Sequence, residues 1–361
     1  MSVFTATAAG GGAGAGGTGG DLRLRRRRLP RWSLPATAVG CALVVLAVFV
    51  LTSSGGRGNY LVTTWACYLV AQTVLSAVVE GGRAARDRLA SAVCVTALAV
   101  AVLALAAVLG FTVVKGVARL DVTFLTHSMF GVADRDAGGG AYHAIIGTLE
   151  QVGIAAAISV PFGLLVSIYL VEYARGRFGR VVSTAVDVAT GLPSIVAGLF
   201  IYSLWILSLG HGPSGFAGAL SLTTLMVPVV VRSTEDILRL VPDSLREASL
   251  ALGIARWRTI VSIVLPTALS GITTGVMLAV ARVTGETAPL LLTVFGNPAI
   301  NNDPFTGPQE GLPQFVFAQA GLPTQTSIDR AWAGALTLIL IVMVLNLFAR
   351  LVVWRSAARR R

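Results

Sequence analysis

Eight apolar runs dominate this chain, at about residues 36–52, 60–79, 91–113, 142–171, 183–209, 216–232, 264–292 and 331–352. Each reaches the ~17–25 residues that an α-helix needs to cross a bilayer. Few folds remain once such runs enter hydrocarbon. Backbone N–H and C=O groups find no water there, so only helices and closed barrels satisfy them. Barrel strands would read as alternating segments of about ten residues, and the sequence has none. The predicted fold class is all-α, a polytopic membrane protein with about eight transmembrane helices. Composition agrees: 12% of residues are charged and 55% hydrophobic, about half the charged fraction of a soluble domain.

The net charge of +11 would suit a nucleic-acid partner if it covered one face. Instead the charges sit at the ends of apolar runs. With the N-terminus inside, 22 of the 28 basic residues fall on the inner side: six Arg between Asp21 and Arg31, then Arg83–Arg88, Arg175–Arg180, the stretch from Arg232 to Arg258, and the tail from Arg350. Five fall outside (Arg57, Lys115, Arg119, Arg135, Arg330), and Arg282 lies within a run. The positive-inside rule then predicts a multi-pass protein of the cell (plasma or inner) membrane with both termini cytoplasmic. Residues 6–20 are a Gly/Ala tract that cannot build a core and is predicted disordered. The Arg cluster before the first run resembles a signal peptide, but no A-x-A site follows it. Cys41, Cys67 and Cys94 each fall inside a run without CxxC spacing and read as small packing residues. His127, His143 and His211 are scattered, lack ligand spacing and read as incidental.

One hydrophilic stretch, Ser244–Pro266, stands out between the sixth and seventh runs. Ser244 and Glu247 have capping-box spacing, which predicts a helix after the Pro242–Asp243 turn. Ala248, Ala251 and Leu252 give it a thin apolar face, and Gly253 suits its stop. Pro266 lies too far on to break it and bends or starts the next apolar helix. An ordinary capped helix between two spans would look similar residue by residue. The whole spacing is more specific: Glu247, Ala248, Ser249, three residues, Gly253, nine residues, then Ile263, Leu265 and Pro266. It resembles the EAA loop of ABC-transporter permeases, with Ser249 in place of the second Ala. That resemblance implies a short cytoplasmic helix that docks into an ATPase subunit, with Glu247, Ala248, Gly253 and Pro266 carrying the coupling.

Three further stretches narrow the resemblance: GLPSIVAGLF at Gly191–Phe200, the run from Val227 to Trp257, and ARVTGETAPLLLT at Ala281–Thr293. Over roughly residues 140–352 the chain resembles the PstA-type permease subunits of phosphate ABC importers. The resemblance implies an ABC importer permease (MetI-like) core and an alternating-access cycle. It also implies a PstC-type permease partner, two PstB-type ATPase subunits and a PstS-type extracytoplasmic phosphate-binding protein. This chain would carry no cofactor, with ATP and Mg bound by the ATPase. Consistently, it has no G-x-x-x-x-G-K-[ST], since Val114 precedes its one lysine, Lys115. A permease for molybdate, tungstate or sulfate is the alternative within the same class. A membrane-embedded enzyme would need a nucleophile–base pair or metal cluster at depth, and an ion-driven transporter would leave the EAA spacing without a role.

The implied organisation is a Gly-rich and Arg-rich N-terminus (1–35), an additional hairpin (36–90), a core-associated helix and outside loop (91–141), the permease domain (142–352, EAA loop at 244–266) and a basic tail (353–361). The hairpin departs from the family, which has about six spans. The outside loop from Asn297 to Arg330 is too short for its own core and reads either as part of a docking face for an extracytoplasmic partner or as a long connector.

Charges within the runs are the candidates for a substrate path. Arg282 and Glu286 are four apart, which predicts one shared helix face. A guanidinium offers a planar fork of donors to an oxyanion, and the Glu carboxylate could accept from a protonated phosphate oxygen. Two readings stand: an anion path tuned by Glu286, or a structural ion pair that holds two helices in register. Arg232 reads as the inner end of the path or as a snorkelling Arg at a helix end. Glu150 must find a partner, Asp187 is near enough to headgroups to reach them, and Pro193 predicts a kink beside Gly191.

Overall fold

The computed structural model describes residues 30, 32–52, 57–174 and 176–358. The Gly/Ala tract, the Arg cluster through Arg31, the first hairpin turn at 53–56, Arg175 and Arg359–Arg361 lie outside the described residues. Fourteen α-helices and no strand are found among those residues, and one isolated bridge joins Phe295 to Gln309. Seven helices are long and apolar enough to cross a membrane, and a bent pair makes up to eight. The all-α polytopic expectation therefore holds.

The chain forms two compact units, one through Ala106 and one from Ala107. The first holds α1 (Ser33–Thr52), α2 (Arg57–Val79) and most of α3 (Gly82–Val117). α1 and α2 are joined by Thr37 donating to Gln72 Oε1 (2.9 Å) and Tyr60 donating to the Ala42 carbonyl (3.0 Å). At the other end of α2, Arg88 pairs with Glu80 at 2.6 Å. The outward faces of α1 and α3 are Leu, Val and Phe left exposed, as lipid-facing helices require.

The second unit is built on α5 (Tyr142–Ile168) and α8 (Gly215–Arg239). Val152 and Ala155 of α5 meet Leu222, Met226 and Val230 of α8, and Ala279 and Val283 of α11 (Leu265–Thr284) close the cluster. Gly163 lets α5 come within reach of Val230, whose Cγ1 would lie 2.7 Å from any Cβ there. A second cluster joins Phe124 of the short α4 (Val122–Thr126), Leu312 and Phe315 of α13 (Leu312–Ala320) and Ala333 of α14 (Gln325–Ala358). The predicted outside loop is therefore no plain connector: α13 lies within it and is half core.

Two predicted spans differ from the observed helices. The fifth run is not one straight helix. α6 (Arg177–Thr190) and α7 (Ser194–Ile201, continued by a π-helical turn Tyr202–Ser208) meet at 106° across Gly191–Pro193. Pro193 disfavours helix at Leu192, so the predicted kink becomes a full corner. In the seventh run, α11 stops at Thr284 and a separate helix, α12 (Ala288–Thr293), begins after Gly285–Thr287. Pro289 lies in the first turn of α12, where its missing N–H breaks no intrahelical bond.

The loop that follows α12 is tied to α5. Gln309 donates to Glu150 Oε2 (2.5 Å) and to the Asn301 carbonyl (3.1 Å), and it accepts from Gln151 (3.0 Å). Glu150 thus finds its partner 159 residues away. Asn301 and Asp303 fold the loop tip, and the Thr306 hydroxyl, with the Phe305 N–H, holds the Asp303 carboxyl below the usual carboxylate range. Any Cβ on Gly147 would collide with the Glu310 carbonyl oxygen. Gly147→Val is therefore expected to cost about 1–3 kcal/mol. Its signature would be a lower melting midpoint together with new protease cleavage between residues 297 and 311. An unchanged cleavage pattern would show that the loop does not depend on this contact.

Candidate functional site

The Ser244–Pro266 stretch folds as α9 (Asp243–Ala251), α10 (Arg256–Thr259), a π-helical turn (Ile260–Val264) and α11. The capping box is not formed. Pro242 takes the N-cap position, two residues earlier than the spacing predicts, and it has no side chain able to accept a hydrogen bond. Ser244 therefore lies inside the first turn. Asp243 supplies negative charge at the positive helix end instead. The stop does form as expected: Gly253 has φ +76°. The Gly253 N–H bonds the Leu250 carbonyl (2.9 Å) and the Ile254 N–H bonds that of Ser249 (3.2 Å), the paired bonds of a Schellman motif. Pro266 stands in the first turn of α11, just after the π-helical turn. There the chain closes at i→i−5, with Leu265 N–H on the Ile260 carbonyl, so the donor missing from Pro266 falls where the α-ladder is already interrupted.

Arg246 fixes α9 to the core, a role that sequence spacing did not reveal. Its Nε donates to Glu172 (2.9 Å), Nη1 to the Val241 carbonyl (2.6 Å) and Asp243 (3.0 Å), and Nη2 to the Leu238 carbonyl (3.0 Å). Glu172 is buried, at the π-helical turn Tyr169–Tyr173 that ends the long fourth span. The pair is 74 residues apart in sequence, so no local pattern announces it. Beneath α9, the buried Ser249 hydroxyl bonds Thr259 at 2.7 Å. This gives a reason for the one departure from the EAA pattern: the second Ala would leave Thr259 with only a long bond to the Ala255 carbonyl (3.4 Å). Ser249→Ala is expected to cost no more than about 1 kcal/mol, read as a small drop in melting midpoint with α9 still seated.

With its underside held, α9 turns outward. Glu247, Ala248, Ala251 and Gly253 are exposed, as are Leu245, Leu250, Leu252 (80%) and Trp257 (60%). Apolar side chains around the Glu247 carboxylate form a surface that the other described residues leave uncovered.

Arg232 does not end its helix. α8 runs on to Arg239, which corrects the snorkelling reading. Arg232 pairs with Asp187 (2.5 Å) and Glu235 (2.5 Å) and donates to the Ser183 carbonyl (2.8 Å) and hydroxyl (2.9 Å). Arg239 takes the other oxygen of Glu235 (2.7 Å). Asp187 therefore points to a protein partner, not only to headgroups. Glu235, 4% exposed on its side chain, sits between two guanidinium groups, and α6 is thereby tied to α8.

Arg282 and Glu286 do not share a helix face, because α11 ends between them at Thr284. Arg282 is exposed and Glu286 half-buried, and neither has an ion pair or side-chain hydrogen bond among the described residues. Gly285 faces open space: a Cβ there would meet only the Arg282 carbonyl, at 3.8 Å. The two motif stretches do converge. Gly198 of α7 lies directly against Pro289 of α12, where a Cβ would stand 2.6 Å from the proline Cα. The corner of α6–α7 and the break between α11 and α12 are thus packed together. His143, read as incidental, is buried against Phe315 and bonded to Glu310 (3.0 Å).

Residues 159–361 match the family of binding-protein-dependent transport system inner membrane components, and the chain belongs to it. It is thus a multi-pass inner-membrane permease and not an ATPase. The phosphate transport system permease protein PstA 1 of Mycobacterium tuberculosis H37Rv is 50% identical over 65% of this chain and 77% of that protein. The PstA of Mycobacterium leprae is 48% identical over 74% of this chain and 87% of its own length, and the PstA of Haemophilus influenzae 41% over 67% and 84%. Among solved structures, the inward-facing MetNI methionine ABC transporter gives a TM-score of 0.46 at 20% identity over 60% of this chain and 94% of that one.

Proposed function

We propose that this chain is the transmembrane permease subunit of an ATP-driven phosphate importer. The observation that carries this reading is the 41–50% identity to PstA phosphate permeases across 77–87% of their lengths. A PstC-type permease completes the translocation path, two PstB-type ATPases bind ATP and Mg, and a PstS-type protein delivers phosphate from outside. The exposed face of α9, with Glu247 and Ala248, enters one ATPase, while Gly253 and Pro266 define its ends. Both termini are cytoplasmic, in keeping with the 22-to-5 distribution of basic residues.

Arg282, Glu286 and Arg232 are assigned to the substrate path. Arg282, exposed and without a side-chain partner among the described residues, suits a path shared with the second permease, where its donors would meet an oxyanion. Arg232 is a less direct candidate, since Asp187, Glu235 and Ser183 already occupy much of its guanidinium. Cycling follows from the seat of α9. Closure of the ATPases moves α9, and Arg246 passes the displacement to the ends of α5 and α8.

The test is uptake into membrane vesicles that carry this chain with its partner permease, ATPase and binding protein. ATP-dependent uptake of labelled phosphate, blocked by arsenate and not by sulfate, is the expected result. Uptake of molybdate, tungstate or sulfate in place of phosphate would overturn the substrate and keep the architecture.

A further inference from the structure

The first unit contains a groove that the transport reading does not use. It occupies about 470 Å³ between α1, α2 and α3. Leu34, Leu69 and Val95 form apolar walls, and Trp65 closes one end by donating to Thr96 at 3.1 Å. Gln72 and Arg88 stand at the other end. At 1.5 Å per residue, Trp65 to Gln72 and Arg88 to Thr96 each cover roughly 10–12 Å. The groove therefore runs along the helices, polar at one end and apolar at the other.

Two observations at the polar end point to a ligand. Gln72 is 6% exposed, and Thr37 satisfies its carbonyl oxygen. Its Nε2 is buried with no partner among the described residues, and buried donors are ordinarily paired. Arg88 gives one bond to Glu80, and its remaining nitrogens have no partner among the described residues. Arg83 and Arg86 are exposed on the same turns of α3 but roughly on its opposite side, so Arg88 is the basic group that faces the groove.

We propose that this groove binds an anionic membrane phospholipid, its phosphate on Gln72 Nε2 and Arg88 and an acyl chain along Leu34, Leu69 and Val95. Phosphate oxygens supply the acceptors that the amide and guanidinium lack. An acyl chain fills walls that water would not wet. Basic pockets between spans at the cytoplasmic surface are suited to anionic headgroups. The additional hairpin would then be a lipid-binding element fixed to a transporter core.

Equilibrium binding to the full-length protein in detergent tests this, with phosphatidylglycerol and phosphatidylcholine of identical chains as probes. Phosphatidylglycerol is expected to bind about fivefold tighter, the effect of one basic side chain at a membrane surface. Gln72→Leu removes the unpartnered donor and the acceptor of Thr37 at nearly constant volume. Thr37 keeps the Ser33 and Leu34 carbonyls, so phosphatidylglycerol affinity is expected to fall with only a small change in melting midpoint. Arg88→Gln combined with Gln72→Leu is expected to equalise the two lipids, and Arg88→Lys to keep the preference. Leu69→Trp, which fills the apolar end, is expected to weaken both. Equal binding of the two lipids by the unaltered protein would overturn the proposal. So would a preference that survives the double substitution, or sn-glycerol 3-phosphate competing as well as the intact lipid.

Discussion

Replacing Arg246 with alanine is expected to unseat α9 and stop coupled transport. The substitution removes four hydrogen bonds at once and leaves Glu172 buried without its partner. Breaking a buried pair from one side costs about 3 kcal/mol or more, which is about a hundredfold in the population of the seated helix. The Ser249–Thr259 bond beneath α9 is neutral and too weak to compensate. Phosphate uptake should fall steeply, while ATP hydrolysis by the assembled ATPases persists. Arg246→Lys should recover only part of the loss, because a point charge cannot reach Glu172 and two carbonyls together. Paired measurement of uptake and ATPase rate decides the matter. An Arg246→Ala protein with a normal melting midpoint and normal uptake would mean that α9 is held elsewhere.

Arg282→Ala should have the opposite profile. Its guanidinium has no carboxylate partner among the described residues, so its removal strands no buried charge there. Membrane insertion and melting midpoint are expected to be unchanged. If Arg282 meets the anion as it passes, uptake should fall about thirtyfold or more, the usual effect of truncating one side of a desolvated charge contact (about 2 kcal/mol or more). Glu286→Gln should act on selectivity, narrowing the discrimination between phosphate and sulfate, because only phosphate carries a proton for the carboxylate to accept. Labelled-anion competition reads both effects. Full uptake by Arg282→Ala in an inserted complex would remove this residue from the path. Arg232→Ala is expected to lower stability first, since it releases Glu235 and Asp187 and loosens α6 from α8.

Local chemistry was legible in the sequence, and long-range chemistry was not. Apolar run length located the spans, and the EAA spacing located a helix whose end at Gly253 follows from the one residue type at ease at φ +76°. Its start was misplaced by two positions because capping-box spacing at Ser244 and Glu247 ignores the proline that already ends the preceding turn. The Gly191–Pro193 segment signalled a kink, but its angle is set by what α7 packs on, namely Pro289 of α12. The same blindness hid the break after Thr284, where apolar character continues although the helix does not. Glu172 with Arg246, Glu150 with Gln309 and His143 with Glu310 are separated by 74 to 167 residues. The sequence could say that a buried carboxylate needs a partner, but only packing names it.

The π-helical turn at Ile260–Val264 acts as a correction of phase. Buried positions in this region recur every four residues at Ile260, Val264, Ala268 and Ile272. An ideal α-helix drifts by about 40° at each spacing of four, since it turns once in 3.6 residues. Uncorrected, that drift would swing Thr259 and Ile260 away from the side on which Ala268 and Ile272 meet Leu238 and Val241. One wider turn absorbs an extra residue and resets the rotation. The hydroxyl that supports α9 and the apolar stripe that enters the core therefore stay on one azimuth. In the proposed cycle, a push on α9 reaches α11 through residues that already share one side of the helix.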